Sequence, residues 1–376
     1  MRKLIYLFLL LTLFLGCQSL RKFSQQEITN DVACTPITFK GKFPTIDVNV
    51  NQSKYQFLLD TGAGAPVLHD TLPVVDYKDS DFFSFGSLVG ADREKIQSTL
   101  FTASLSSTLF ESSNKVFLLH KRPAARCGGI AAYSGILGLD VFFHNEQVMK
   151  LDFTSGRICN ISHAEKNQII NDEKYDLIKS DCKRNAVYIY MTIGEVEYKF
   201  KLDTGYTGNI IIPTSKVTPK LLNLPRREYS GSLYNTISSK TEGREILYNS
   251  VPVKIGNNVV NSTVSVSSTI KAQNVGIGFI KGLDWIIDYN SDQVFVKRNQ
   301  HPIPIEPSWN GDYFATIQND KLIIILKETN QKFDIGDRIV AVNSEKVTKD
   351  NICDLQSLLS KTSDWSKLDI EIEKAN

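Results

Sequence analysis

Apolar and polar residues alternate along much of the chain with the period of two that sets one face of a strand against a core. Ile46-Asp47-Val48-Asn49-Val50 alternates strictly, Asn51-Gln52-Ser53 supplies turn residues, and Tyr55 to Leu59 returns, so a hairpin is expected that ends at Asp60. The same reading recurs later: Val187 to Ile193 forms a strand, Gly194-Glu195 turns, and Val196 to Leu202 runs back to Asp203. Ser98 to Leu119 alternates more loosely, and Val251 to Ile255 and Val264 to Val266 read as further strands. Helical periodicity is hard to find between residues 35 and 160, which therefore read as nearly all β. Residues 161–182 are polar and charged with no apolar period, and read as a linker. Beyond Pro302, Pro304 and Pro307 the pattern changes: Ile352 to Leu359 suits a short amphipathic helix, and Leu368 to Ile372 a closing strand.

The two hairpins deliver the same short pattern. Phe57-Leu58-Leu59-Asp60-Thr61-Gly62 and Phe200-Lys201-Leu202-Asp203-Thr204-Gly205 each read aromatic, one variable residue, Leu, Asp-Thr-Gly, at a spacing of 143 residues. Apolar runs follow both, Val67-Leu68 and Ile210-Ile211-Ile212. Further along each copy come Gly135-Ile136-Leu137-Gly138-Leu139 and Val275-Gly276-Ile277-Gly278-Phe279, then the similar hairpins Met149 to Ile158 and Trp285 to Val294. Whole halves therefore repeat in the same order, an internal duplication. A carboxylate at the end of an apolar strand is costly unless hydrogen bonds or a partner hold it. Two brought face to face by a pseudo-twofold axis cannot both ionise, so they share a proton and supply one base and one acid.

On these motifs the chain resembles the aspartic peptidases, both the two-lobed pepsin-like enzymes and the single-lobed retropepsin-like domains. The resemblance implies a mainly β fold, with two retropepsin-like β-barrel lobes forming a pepsin-like bilobal unit: lobe one over 35–160, the linker over 161–182, and lobe two over 183–298. It implies that Asp60 and Asp203 hold a water that attacks a peptide carbonyl. One carboxylate removes its proton and the other protonates the developing oxyanion, then the leaving nitrogen. Thr61 and Thr204 would bond across to the opposite lobe, and Gly62 and Gly205 would offer N–H groups to the carboxylates. Neither a cofactor nor a metal is implied, and with both Asp residues in one chain a monomer suffices. Ala63 fits the retropepsin-like pattern, whereas Tyr206 stands where the family usually has Ala, Ser or Thr. Its ring would either crowd the dyad or turn outward as a pocket wall. Phe82 to Gly90 and Glu228 to Asn235 stand where flaps would close over substrate, with Tyr77 and Tyr229 as candidate flap tyrosines. The expected function is an aspartic endopeptidase, and the alternative is a non-catalytic peptide-binding protein on the same scaffold.

The C-terminal residues 306–376 carry a second resemblance. Asp334-Ile335-Gly336-Asp337-Arg338-Ile339-Val340-Ala341-Val342-Asn343 resembles the Gly-Asp signature of PDZ domains, and the helix and strand that follow keep the order of a bacterial one. A small α+β PDZ-like domain is the expectation. Such modules capture a chain end by strand addition, although this copy could equally be purely structural.

The N-terminus adds an address. Arg2 and Lys3 precede an almost wholly apolar stretch from Leu4 to Leu15, too short for a spanning helix, which ends in Gly16-Cys17. This resembles a bacterial lipoprotein signal, with residues 1–16 removed, Cys17 lipidated and residues 17–34 a tether. The expected location is the bacterial cell envelope, membrane-anchored through the lipid and facing the periplasm, with surface exposure the alternative. Losing Arg2 and Lys3 takes the formal charge from +2 to zero, which argues against a nucleic-acid partner. Cys34, Cys127, Cys159, Cys182 and Cys353 show no C-x-x-C, and the five histidines no metal-ligand spacing. Cys159 and Cys182, at the two ends of the linker, could clasp it, with free thiols the alternative.

Overall fold

The computed structural model describes residues 32–69, 78–79, 86–90, 95–120, 127, 133–142, 147–183, 186–218, 221, 223–231, 243–306 and 311–375. The signal stretch, Cys17 and Tyr77 lie outside them. The described fold is mainly β, in three large sheets.

Two of the sheets repeat one strand order. In the first half the order is Thr38–Lys40, Phe43–Val50, Ser53–Leu59, Gly135–Leu137, Val67–His69, Glu111–His120, Lys95–Ser106. In the second it is Ser180–Lys183, Ala186–Ile193, Val196–Asp203, Asn274–Gly276, Ile210–Pro213, Asn258–Ser267, Gly243–Ile255. Each sheet curls back on itself through one further pairing, Asn49 with Ser106 in the first and Thr192 with Lys254 in the second. Each Asp-bearing strand lies parallel to the short strand that follows much later in its own half. Gly135–Leu137 and Ile210–Pro213 are buried at every position, as strands covered on both faces require.

The third sheet joins the halves. Its six strands run Ala33–Pro36, Arg157–Ile161, Val148–Asp152, Leu283–Asp288, Gln293–Arg298, Asp176–Ile178. At its centre Lys150 pairs with Ile286, and these are equivalent positions of the two similar hairpins. Equivalent residues that face each other across an antiparallel pair place a local twofold axis between them. The symmetry extends outward: Cys34 pairs with Cys159 on one side, and Leu177 with Phe295 on the other.

The polar stretch 161–182 is structured. His163–Glu173 forms a helix (α1) opened by a capping box in which Ser162 and Glu165 satisfy each other's backbone amides. The buried Lys166 of this helix pairs with Asp288 at 2.6 Å, tying it to the second half. The spacing Ser162-x-x-Glu165 was the available signal.

Residues 311–375 build a separate core around Tyr313, Leu322, Ile324, Ile339, Leu355 and Trp365. Helix α2 (Ile277–Ile280) belongs to the second half, and helix α3 (Ile352–Lys361) packs on this C-terminal module. Gly336 takes φ +93°, and the buried Asp337 accepts from the Asp334 amide, Lys374 and the Ala375 amide, holding the chain end. The module is not free-standing, because its strand Lys321–Glu328 continues the second sheet by pairing with Arg226–Gly231.

Cys34 is bonded to Cys159, and Cys127 to Cys353. Of the two readings for Cys159 and Cys182, the clasp between them is therefore not formed. Strand register sets Cys34 directly opposite Cys159, while Cys182 remains a thiol whose pKa burial pushes up to about 12.

Candidate active site

The two Asp-Thr-Gly turns meet. A Cβ added to Gly62 would lie 2.4 Å from the carboxyl carbon of Asp203, and one added to Gly205 would lie 2.5 Å from that of Asp60. Each glycine thus stands against the other half's carboxyl group, where a methyl would collide. Thr61 and Thr204 interlock behind them. The amide of each donates to the other's hydroxyl at 3.0 Å, and the hydroxyls donate onward, Thr61 to Leu202 O at 2.9 Å and Thr204 to Leu59 O at 2.6 Å. Both threonines are buried, so all four bonds are shielded from water.

The carboxylates are held by amides in slightly different ways. Asp60 Oδ1 accepts from Gly62 at 2.8 Å and from Ala63 at 3.2 Å. Asp203 Oδ1 accepts from Tyr206 at 3.0 Å, so in the second turn the donor is the residue after the glycine rather than Gly205. Asp203 Oδ2 also accepts from Asn274 Nδ2 at 2.6 Å. The two carboxyls are close enough for the charge of Asp60 to act on Asp203. Each residue keeps some exposed surface, yet the surroundings are dense enough for desolvation to dominate both titrations. Burial raises Asp60. Burial and then the Asp60 charge push Asp203 up to about 7. The pair therefore keeps a proton well above the ordinary carboxylate range.

Lys201 opposes that rise. Its ammonium donates to the carbonyl of Gly62, across from its own half, and its charge lowers both carboxyls. Neither Lys201 nor Asn274 stood out in the sequence. Lys201 occupies the variable position of the six-residue repeat, where the first copy has Leu58, and that contrast was the available signal.

The Tyr206 ring packs on glycines of its own half. A Cβ on Gly208 would lie 2.3 Å from the Tyr206 hydroxyl, and one on Gly276 would lie 2.5 Å from its ring, so the phenol folds back over these two glycines. The repeat also aligns differently from its sequence reading. The amide of Leu139 donates to Ala63 O, and that of Ile277 to Tyr206 O, which makes Gly276, not Gly278, the counterpart of Gly138. Of the flap segments, Gly86–Val89 pairs with Lys95–Ser106. Arg226–Gly231 is bound into the sheet of the C-terminal module, where Tyr229 is fully buried beside Leu247 and Leu326 and is not a flap residue over the dyad.

No protein-family model matches the chain, and no curated protein matches it.

Proposed function

We propose that the chain is an aspartic endopeptidase, in which Asp60 and Asp203 activate a water for attack on a peptide bond. The observation that carries the reading is the pair of partly buried carboxyls, each set against the other half's Asp-Thr-Gly turn, related by a local twofold axis and locked by reciprocal threonine bonds. With one proton between them, the ionised group takes the water's proton as it attacks the carbonyl. The protonated group donates to the developing oxyanion, and the proton taken from water passes to the leaving nitrogen. Lys201 keeps the shared negative charge compatible with its buried setting.

On this reading the two curled sheets are retropepsin-like lobes of a bilobal, pepsin-like unit. Residues 311–375 are a PDZ-like module whose edge strand Tyr313–Gln318, beside helix α3, would take a chain end. Lipid on Cys17 would hold the protein in the bacterial cell envelope. The Tyr206 ring packs on Gly208 and Gly276 while the atoms nearest Gly62 and Gly205 are those of the opposing carboxyls, and this favours catalysis over the alternative of a purely peptide-binding scaffold.

The test is peptide-library cleavage by the wild type and by Asp203→Asn. Cleavage by the first and none by the second is the expected result. No cleavage by the wild type at any acidic to neutral pH overturns the reading.

A further inference from the structure

Behind Tyr206 lies a cavity of about 710 Å³. Its volume is within the range of sites that hold a ligand segment. Its walls come from both halves: Phe39 and Phe153 from the first, Tyr206, Leu247 and Ile277 from the second. Tyr206 is also the residue whose amide holds Asp203, so one residue links the cavity wall to the dyad.

One part of this lining is cationic. Lys42, from the turn before Phe43–Val50, and Lys281, which ends helix α2, both line the cavity. Several other lysines are paired, as in Lys54 with Asp47 at 2.8 Å and Lys297 with Glu173 at 2.7 Å. Among the described residues, Lys42 and Lys281 form no ion pair. They also feel each other, since burial and then the Lys281 charge hold Lys42 below the usual lysine range. His301 joins them, its Nε2 donating to Phe153 O at 3.0 Å, which turns Nδ1 to other partners. The one carboxylate in the lining, Glu306, pairs with neither lysine. Two ammonium groups left facing one cavity repel each other, and a bound anion relieves that repulsion while its aliphatic part covers the apolar walls.

We propose that this cavity is a specificity subsite for an acidic side chain of an extended peptide, with Lys42 and Lys281 binding the carboxylate and Phe39 and Phe153 packing its stem. The inference rests on the peptidase reading for its substrate, but the cavity can be tested by binding alone. Glutamate, with two methylenes before its carboxylate, fits the division between apolar wall and cationic end better than aspartate.

The experiment uses the full chain in detergent and amidated peptides, so that no terminal carboxylate competes. Each position around a cleaved bond is set in turn to Glu, Gln or Lys. At one position the wild type should prefer Glu over Gln by about ten- to a hundredfold in kcat/KM, carried mainly by KM, as expected for a desolvated charge-assisted contact. Lys42→Ala with Lys281→Ala should bring that ratio close to one. Lys42→Glu with Lys281→Glu should turn it towards Lys, a gain that misfolding cannot produce. If peptides are cleaved without charge preference at every position, the subsite is wrong and the peptidase reading stands. If nothing is cleaved, the peptidase reading fails, and the anisotropy of labelled Glu and Gln peptides decides the cavity. Tighter Glu binding that is lost in the double alanine variant supports it, and equal binding overturns it.

Discussion

The two halves agree where they touch each other and differ where they face outward from that contact. Asp60-Thr61-Gly62 and Asp203-Thr204-Gly205 make the same reciprocal bonds, and Leu59 and Leu202 supply the same accepting carbonyls. One step away the copies diverge. Leu58 pairs with Ile136 in the first half, and both lie in a small apolar cluster. The equivalent pair in the second half is Lys201 with Asn274, and both reach the dyad, one by charge and one by a hydrogen bond. Ala63 is matched by Tyr206, and the disulfide Cys34–Cys159 by the uncrosslinked pair Leu177 and Phe295. Residues that close the twofold contact must suit both copies at once, so they are held. Residues that touch it from one side are free to specialise, and here the second half carries the polar tuning while the first supplies an apolar wall.

The largest expected effect comes from breaking the shared part. Asp60→Asn, Asp203→Asn and the double variant should each lose about 10²–10⁴-fold or more in kcat, because one group cannot serve as both base and acid. The losses should coincide instead of multiplying, which single-turnover rates on one cleaved peptide will show.

The threonine lock comes next. Thr61→Val leaves the Thr204 amide and the Leu202 carbonyl without their partner, at about 1–3 kcal/mol for each buried group left unsatisfied. Thr204→Val should cost a similar amount, since it strands the Thr61 amide and Leu59 O. Urea denaturation of the two variants measures the symmetry directly, and a large difference between them would mean that the halves are not equal partners in the contact.

The one-sided residues should shift pH dependence more than they shift rate. The folded pair binds a proton that unfolded aspartates have already released. Stability is therefore greatest below the ordinary carboxylate pKa and declines as pH rises towards the raised value, about 7 for Asp203. Asp203→Asn should flatten that decline in a pH series of thermal melts. Lys201→Met removes the charge that lowers both groups, so both limbs of the pH–rate profile should move to higher pH. The smallest effect is expected from Asn274→Ile, which copies the first half. It removes one donor to Asp203 and should move the alkaline limb upward alone. If Lys201→Met leaves the profile in place, the second half is not the tuning half.

The contact residues were legible in the sequence because Asp-Thr-Gly is a local device: turn, lock and carboxylate lie within three residues and recur intact. Lys201 and Asn274 were not, since Lys201 is one of several charged residues alternating along its strand and Asn274 opens a strand of three residues, and only the parallel register of Val196–Asp203 with Asn274–Gly276 brings them together. The same register, invisible in sequence, moved the counterpart of Gly138 from Gly278 to Gly276. The mainly β character followed from alternation. Helix α1 was missed because its apolar face is weak, although its capping box was present. Cysteine pairing depended on which strands become neighbours, and spacing carries no information about that.

The pairing of Tyr229, Ser230 and Gly231 with Leu326, Lys327 and Glu328 has a mechanical consequence. Together with Cys127–Cys353 it makes the C-terminal module a strut between the halves, bolted to one by a covalent bond and welded to the other by backbone. A pull on the module loads that strand pair along its length, where its hydrogen bonds resist together instead of opening one by one. The strand that takes the load lies next to Gly243–Ile255 in the sheet whose core also carries Asp203. Tension on the module is thereby delivered to the framework of the dyad, and the two halves cannot part widely unless the strut fails first.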